Sequence, residues 1–272
     1  WKGENLNNKI ILILSEQGFG DIIQFARYVY ELKKAYNVRI FFRTHKKLIH
    51  LFDNSTFKVI STDDKIPKHD YHTYLLSLTK FHYQREKRLL NEINYLKYNK
   101  NKFSFWNKKL SKLIYPKIGI NWQGGTIFKR DKFRSIPLNY FEPLFNLKNL
   151  DFICLQKGYG IEQVKKFKYR KKLKFFNPTF NIDDEKNAFE DTIGILLNLD
   201  LIITSCTAIA HLASTLGVRT WILLDYTADW RWFLKKSNTP WYKNTKLYRQ
   251  KTQGNWNQVF DEVKNDLKKW KK

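Results

Sequence analysis

The sequence predicts an α/β protein with mainly parallel sheets, and three observations carry that expectation. Apolar runs of strand length alternate with segments of helical period along most of the 272 residues. The alternation comes in two successive series, separated by a polar stretch around 100–116. Glycine, hydroxyl and basic residues gather just beyond several apolar runs, where open parallel sheets bind ligands.

In the first series, residues 9–14 ("KIILIL") read as a strand and 21–35 as a helix with Ile22, Phe25, Ala26, Val29 and Leu32 on one face. "VRIFF" (38–42) is the next strand, "KKLIHLF" a short helix, "FKVIS" (57–61) a strand, and "YHTYLLSL" (71–78) a buried strand or strand-end loop. Residues 80–112 are polar and aromatic, with a helix expected near 104–113. The second series opens with the strand "KIGINW" (117–122) and the glycine-led basic loop "GGTIFKRDKFRS". A helix in "PLNYFEPLF", a strand at 150–156, a short helix in "EQVKKF" and a strand in "LKFFN" (173–177) follow. Helices at 186–198 and 207–216 alternate with strands at 200–205 and 219–224, and 256–270 reads as an amphipathic helix. The expected units are 1–113 and 114–272.

A 43% hydrophobic content suffices for sizeable cores, and apolar runs of about five residues are far too short to span a membrane. No signal-peptide pattern opens the chain. It starts at Trp1 and has no methionine, so an upstream extension is expected. The net charge of +25 suits nucleic acid, an anionic membrane surface or a phosphorylated substrate. The joint enrichment in Lys, Asn, Ile, Phe and Tyr is equally what an AT-rich genome encodes. The charge is diffuse, although "KKFKYRKKLKFF" (165–176) and the terminal "KKWKK" are dense, and no RNA-recognition, helix-turn-helix or zinc-finger signature is present. A nucleic-acid partner is therefore not expected. Cys154 and Cys206 lack metal-ligand spacing, so no metal site is expected and a reducing cytoplasmic setting is the default.

"TSCTAIAHLASTLG" (204–217) is the most informative stretch. Small hydroxyl residues after a strand can cap a helix from Thr207, whose free N–H groups and positive dipole end suit a pyrophosphate. Thr207 and His211 share a helical face four residues apart. On spacing alone, a capping threonine and a core histidine fit equally well, if not better. Gln156 and Lys157, in "LQKG", end another strand and suit a sugar hydroxyl or base and a phosphate, or an ordinary loop exit. Lys129, Arg130, Lys132 and Arg134 cluster near the end of a third strand, as a diphosphate site or as a solvated face. In "EQGFGDIIQFARY" (16–28), Asp21 stands where a strand passes through Gly18, Phe19 and Gly20 into a helix. A helix-capping carboxylate needs no chemistry; in a dry cleft it is also a candidate general base. "DWRWF" and "NTPWY" supply Trp232 and Trp241, for stacking on a base or sugar or for packing over the sheet.

Taken together, "EQGFGDIIQFARY", "INWQGG", "SIPL", "LQKG", "DTIGILLNLDLIITSCTAIAHLASTLG", "TWILL", "DWRWF", "TPWY" and "LYRQ" run in order along nearly the whole chain. The pattern resembles the glycosyltransferase-like C-terminal domain of bacterial tetratricopeptide-repeat proteins, related to the heptosyltransferases of glycosyltransferase family 9. The resemblance implies a GT-B fold, two Rossmann-like domains facing a central cleft, with 1–113 on the acceptor side and 114–272 binding the nucleotide sugar. It also implies a C-terminal helix that crosses back to the first domain.

The activity implied is an inverting, metal-independent hexosyl- or heptosyltransferase. It would use a nucleotide-sugar donor as co-substrate, no other cofactor, and a glycan, lipid or protein acceptor. By the same resemblance Asp21 is the general base. Gly18, Phe19, Gly20 and Gln24 form the acceptor-side loop, and Trp122, Arg134, Gln156, Lys157, Ser205, Cys206, Thr207 and His211 form the donor side. Upstream tetratricopeptide repeats, an anionic cell-envelope acceptor and a cytoplasmic location with peripheral contact at the inner membrane fit this reading. One departure stands out: heptosyltransferases place an aspartate where this chain has Cys206, which counts against a heptose donor and in favour of a catalytically silent nucleotide- or glycan-binding relative. The presence of Asp21 counts against silence.

Overall fold

The computed structural model describes residues 1–174, 182, 183 and 186–270. Its first half is β1 (Ile10–Leu14), α1 (Phe19–Phe25), α2 (Arg27–Ala35), β2 (Arg39–Thr44), β3 (Lys58–Ser61), β4 (Tyr71–Tyr74), α3 (Ser77–Glu86) and α4 (Lys100–Leu110). The second half is β5 (Lys117–Asn121), α5 (Asp131–Arg134), α6 (Glu142–Phe145), β6 (Asp151–Cys154), β7 (Leu173–Lys174), α7 (Glu190–Leu196), β8 (Leu201–Ser205), α8 (Ala208–Thr215), β9 (Thr220–Leu224), β10 (Asn238–Thr239), β11 (Tyr242–Arg249) and α9 (Trp256–Lys269). Short 3-10 turns at Lys46–Leu51, Leu138–Phe141, Ile161–Lys166 and Trp230–Trp232 connect them. The expected strand 173–177 is seen only as Leu173–Lys174; its remainder lies outside the described residues, as do 271 and 272.

The strands form two sheets, ordered β3-β2-β1-β4 and β10-β11-β9-β8-β5-β6-β7, parallel throughout except where β10 meets β11. Parallel sheets are covered on both faces, so their central strands carry continuous apolar runs rather than alternation. Accordingly every residue of β8 and β9 is buried. In the first sheet Ile11 pairs with Ile40 on one side and Tyr71 on the other.

Several elements differ from expectation for local reasons. The single helix expected over 21–35 is two helices broken at Ala26. The Tyr95 hydroxyl bonds the carbonyls of Ile23 and Gln24, and Arg27 Nε donates to Gln24 O at 2.8 Å, so side chains occupy carbonyls that a continuous helix would use. The apolar run 71–78 is a strand that ends at Tyr74 and then a helix, with Leu76 N–H donating to Glu16 Oε1 at 3.1 Å. The polar stretch holds α3 and α4, the latter capped by Asn99, whose side chain accepts from Asn101 N at 2.9 Å. Strand β11 has no counterpart in the expected series, because "YKNTKLYR" is too charged to read as a buried strand.

A large apolar cluster joins the two halves, including Phe25, Ile209, Trp232 and Trp241. Helix α4 lies on α7: Lys102 Nζ and Trp106 Nε1 donate to Asp191 at 2.9 and 2.8 Å, and Gly194 has Lys102 O only 2.9 Å from where a Cβ would stand. The far face of the second sheet is covered by α9, whose Trp256, Val259, Phe260, Val263 and Leu267 pack with Phe141, Trp221 and Tyr248. That helix does not cross back to the first sheet as expected; its apolar face is spent on its own half, and Tyr248 fixes Asp266 at 2.8 Å.

Candidate functional site

The carboxyl ends of β1, β5, β6, β8 and β9 converge on one cleft of about 710 Å³. Two strand-to-helix junctions form its floor. At the first, Gly18 N–H donates to Asp21 Oδ2 at 3.0 Å, so the carboxylate caps the backbone of its own helix α1. At the second, Thr207 is the N-cap of α8, but its hydroxyl donates away to Asn121 Oδ1 at 3.0 Å and makes no cap. The first turn of α8 therefore keeps N–H groups for a ligand at its positive end.

The junctions touch at Gly20. A Cβ there would lie 2.8 Å from His211 Cδ2 and 3.3 Å from Ala208 Cα, so only glycine admits this approach. His211 is buried; Nδ1 lies 3.0 Å from the Tyr242 hydroxyl, and its ring stacks on Trp232 at 5.3 Å. Burial, reinforced by Arg231, Arg27 and Arg134, pushes the imidazole well below its ordinary range, so the ring is neutral. Because Arg231 can only donate, its 3.5 Å approach makes Nε2 the acceptor and leaves the proton on Nδ1.

Arg231 is the residue that sequence reasoning missed. Its Nη2 donates to Asp21 Oδ1 at 2.5 Å, Nε to Asp229 Oδ1 at 2.8 Å, and Nη1 to Gln24 Oε1 at 3.0 Å. Burial opposes its charge, but Asp21 and Asp229 outweigh that and raise its pKa further. "DWRWF" drew attention to its aromatics instead. Trp232 is buried, with Nε1 donating to Cys206 Sγ at 3.0 Å, and Trp241 is buried with Nε1 on Arg231 O at 2.7 Å, so both pack rather than face the cleft.

On the donor side expected from sequence, Arg134 lines the cleft, held by Asp131 at 2.9 Å and by Cys206 O at 2.8 Å, with Phe128 over its guanidinium. Cys206 itself lines the cleft as a protonated thiol, since burial pushes its pKa up. Lys157 reaches the cleft but donates to the carbonyls of Ile182 and Asp183. Gln156 also reaches it, yet its Oε1 accepts from Asn121 Nδ2, Trp122 N and Gln123 N at 2.8, 3.0 and 2.9 Å. Its Nε2 donates to Gln123 O and Tyr159 O at 3.0 and 2.7 Å, so the amide staples two loops. Arg130 joins the wall through Asp225 and Thr227 O, whereas Lys129 and Lys132 are exposed elsewhere.

Three expected residues do not reach the cleft. Trp122 is fully buried with its indole N–H on Gly160 O at 3.0 Å, because it follows Asn121 on the opposite face of the chain. Ser205 is fully buried within β8. Gln24 is buried behind the wall, its Oε1 accepting from Arg231 Nη1. Gly18, Phe19 and Gly20 do line the cleft beside Asp21.

The cleft wall has Arg130, Arg134, Lys157 and Arg231 against Asp21, Asp183, Asp225 and Asp229, so the chain's basic excess is not concentrated there. Among the described residues, no group of three or more His, Cys, Asp or Glu could hold a metal ion, and no helix is long and apolar enough to cross a membrane.

No protein-family model matches the sequence. The chain is 22% identical over 288 aligned positions to Protein FlbA of Caulobacter vibrioides, a match covering 98% of this chain and 48% of that protein. It thus spans about half the length of the curated relative it matches. Among solved structures, a glycosyl transferase family 9 protein from Veillonella parvula is similar with a TM-score of 0.63 at 12% identity, over 100% of this chain and 92% of the other. E. coli ADP-heptose LPS heptosyltransferase II follows with 0.56 at 11% identity, over 95% and 97% of the two chains. E. coli heptosyltransferase WaaC with ADP-2-deoxy-2-fluoro heptose gives 0.57 at 10% identity, over 96% and 99%. The chain has the GT-B fold of these glycosyltransferases, mainly parallel α/β sheets facing a common cleft.

Proposed function

We propose that the chain is an inverting, metal-independent glycosyltransferase that moves a sugar from a nucleotide-sugar donor to a hydroxyl of a glycan, lipid or protein. The observation that carries this reading is the meeting of the two junctions. The Asp21 carboxylate and the uncapped start of α8 face the same cleft, in direct contact through Gly20. Residues 1–113 would serve the acceptor and 114–272 the donor. Asp21 accepts the proton of the acceptor hydroxyl as its oxygen attacks the anomeric carbon. The bond to the nucleotide diphosphate breaks on the opposite face, and the departing charge is taken up by Arg134 and the first N–H groups of α8. Cys206, a neutral thiol where the heptosyltransferases that the chain resembles have an aspartate, counts against a heptose as the donor sugar. An upstream tetratricopeptide portion and a cytoplasmic, cell-envelope-directed role fit the same reading.

A second reading, a catalytically silent nucleotide-binding relative, is favoured by one observation: Arg231 already pairs with Asp21. Calorimetry with UDP, GDP, ADP, CMP and the free nucleosides tests the donor site. Tight binding of one diphosphate, followed by its release from the corresponding nucleotide sugar as the sugar passes to water or to an added acceptor hydroxyl, supports the enzyme. Binding without turnover supports the silent relative, and no binding by folded protein removes both.

A further inference from the structure

We propose that Arg231 is a positioning residue: it fixes the Asp21 carboxylate toward the cleft and joins it with Asp229 in one charge cluster that spans both halves of the chain. This rests on the glycosyltransferase reading above. The guanidinium is a rigid planar fork, and here its three nitrogens are each committed: Nη2 to Asp21, Nε to Asp229 and Nη1 to Gln24. With Gly18 N–H on Oδ2 and Arg231 on Oδ1, both carboxylate oxygens of Asp21 are oriented. Each oxygen has two acceptor sites, so each retains one for a substrate hydroxyl. The Asp21 side chain keeps 18% exposure, on the cleft side.

One guanidinium faces two carboxylates, so the cluster is net negative by one. His211 adds no positive charge, being neutral, and Arg134 is turned to Asp131 and Cys206 O. Anchoring the turn does not require the guanidinium. Trp241 holds the Arg231 carbonyl, Trp230 stacks on Phe25 at 6.3 Å, and Trp232 stacks on His211.

The test compares wild type with Arg231→Gln, Arg231→Lys and Arg231→Ala. Turnover is read as nucleoside diphosphate released from ADP-, GDP- and UDP-linked sugars with water as the glycosyl acceptor, its proton passing to Asp21, and diphosphate Kd is read by calorimetry. The expected result is a kcat lower by ~100-fold in Arg231→Gln, with Kd within ~3-fold of wild type, as befits a misplaced reacting group. Arg231→Lys should retain an intermediate rate, and added guanidinium should restore part of the rate of Arg231→Ala. ¹⁵N-glycine labelling leaves only the amides of the chain's 11 glycines; the one displaced in Asp21→Asn assigns Gly18, and that signal should also move in Arg231→Gln. If Arg231→Gln fails to fold, the Lys variant carries the same comparison. A folded Arg231 variant with wild-type kcat, or an unmoved Gly18 amide, overturns the positioning role and leaves the functional reading standing. A wild type that binds and turns over none of these nucleotides overturns both.

Discussion

At the floor of the cleft a strand passes into a helix twice, at Gly18 and at Thr207, and the two junctions direct their side-chain hydrogen bonds in opposite ways. At the first, Asp21 accepts from Gly18 N–H and brings a negative charge. The second is held open, because Asn121 draws the Thr207 hydroxyl away from its own helix. Neither helix has a side-chain cap on its first-turn N–H groups, so the same topology yields two open helix starts, only the first of which also carries a carboxylate. What separates them is a single side-chain hydrogen bond and its direction, not the backbone path.

The comparison can be broken most forcefully at its negative pole. Asp21→Asn should lower turnover by ~10²–10⁴-fold while diphosphate Kd is kept, measured by release assay and calorimetry. Retained turnover would mean that the carboxylate is only a cap. Gly20→Ala attacks the contact between the junctions. Its Cβ would meet His211 and Ala208, and urea unfolding should show a loss of about 1–3 kcal/mol.

Asn121→Ala probes what holds the second junction open. Thr207 loses the acceptor that draws its hydroxyl away and is freed to cap α8, and diphosphate binding should weaken by roughly 10-fold, about 1.4 kcal/mol. The smallest effect is on pH. The folded-state pKa of His211 is depressed, as are those of His50 and His82, so below about 6.5 the unfolded chain binds more protons than the folded one. Stability should be fully present above that pH and fall as pH drops, by at most about 1.4 kcal/mol per unit for each histidine. Urea midpoints between pH 5 and 8 should show this slope, shallower in His211→Asn.

The two strand–helix series, the strand-end position of Asp21 and the start of α8 were legible because each is a local pattern. What stayed hidden is pairing between distant segments. Arg231 and Asp21 lie 210 residues apart, and nothing in "DWRWF" marks the arginine rather than the tryptophans as the cleft residue. Gln156 read as a ligand contact because its type is right; only the fold shows that both ends of its amide are taken. Ser205 and Trp122 failed for another reason. A strand buried on both faces carries no alternation, so the sequence cannot say which residues of β8, or just past the end of β5, face the ligand.

The contact at Gly20 has a mechanical consequence. A missing side chain lets the two helix starts bear directly on each other. The spacing between Asp21 and the start of α8 is therefore set by backbone against backbone, and no change of rotamer can alter it.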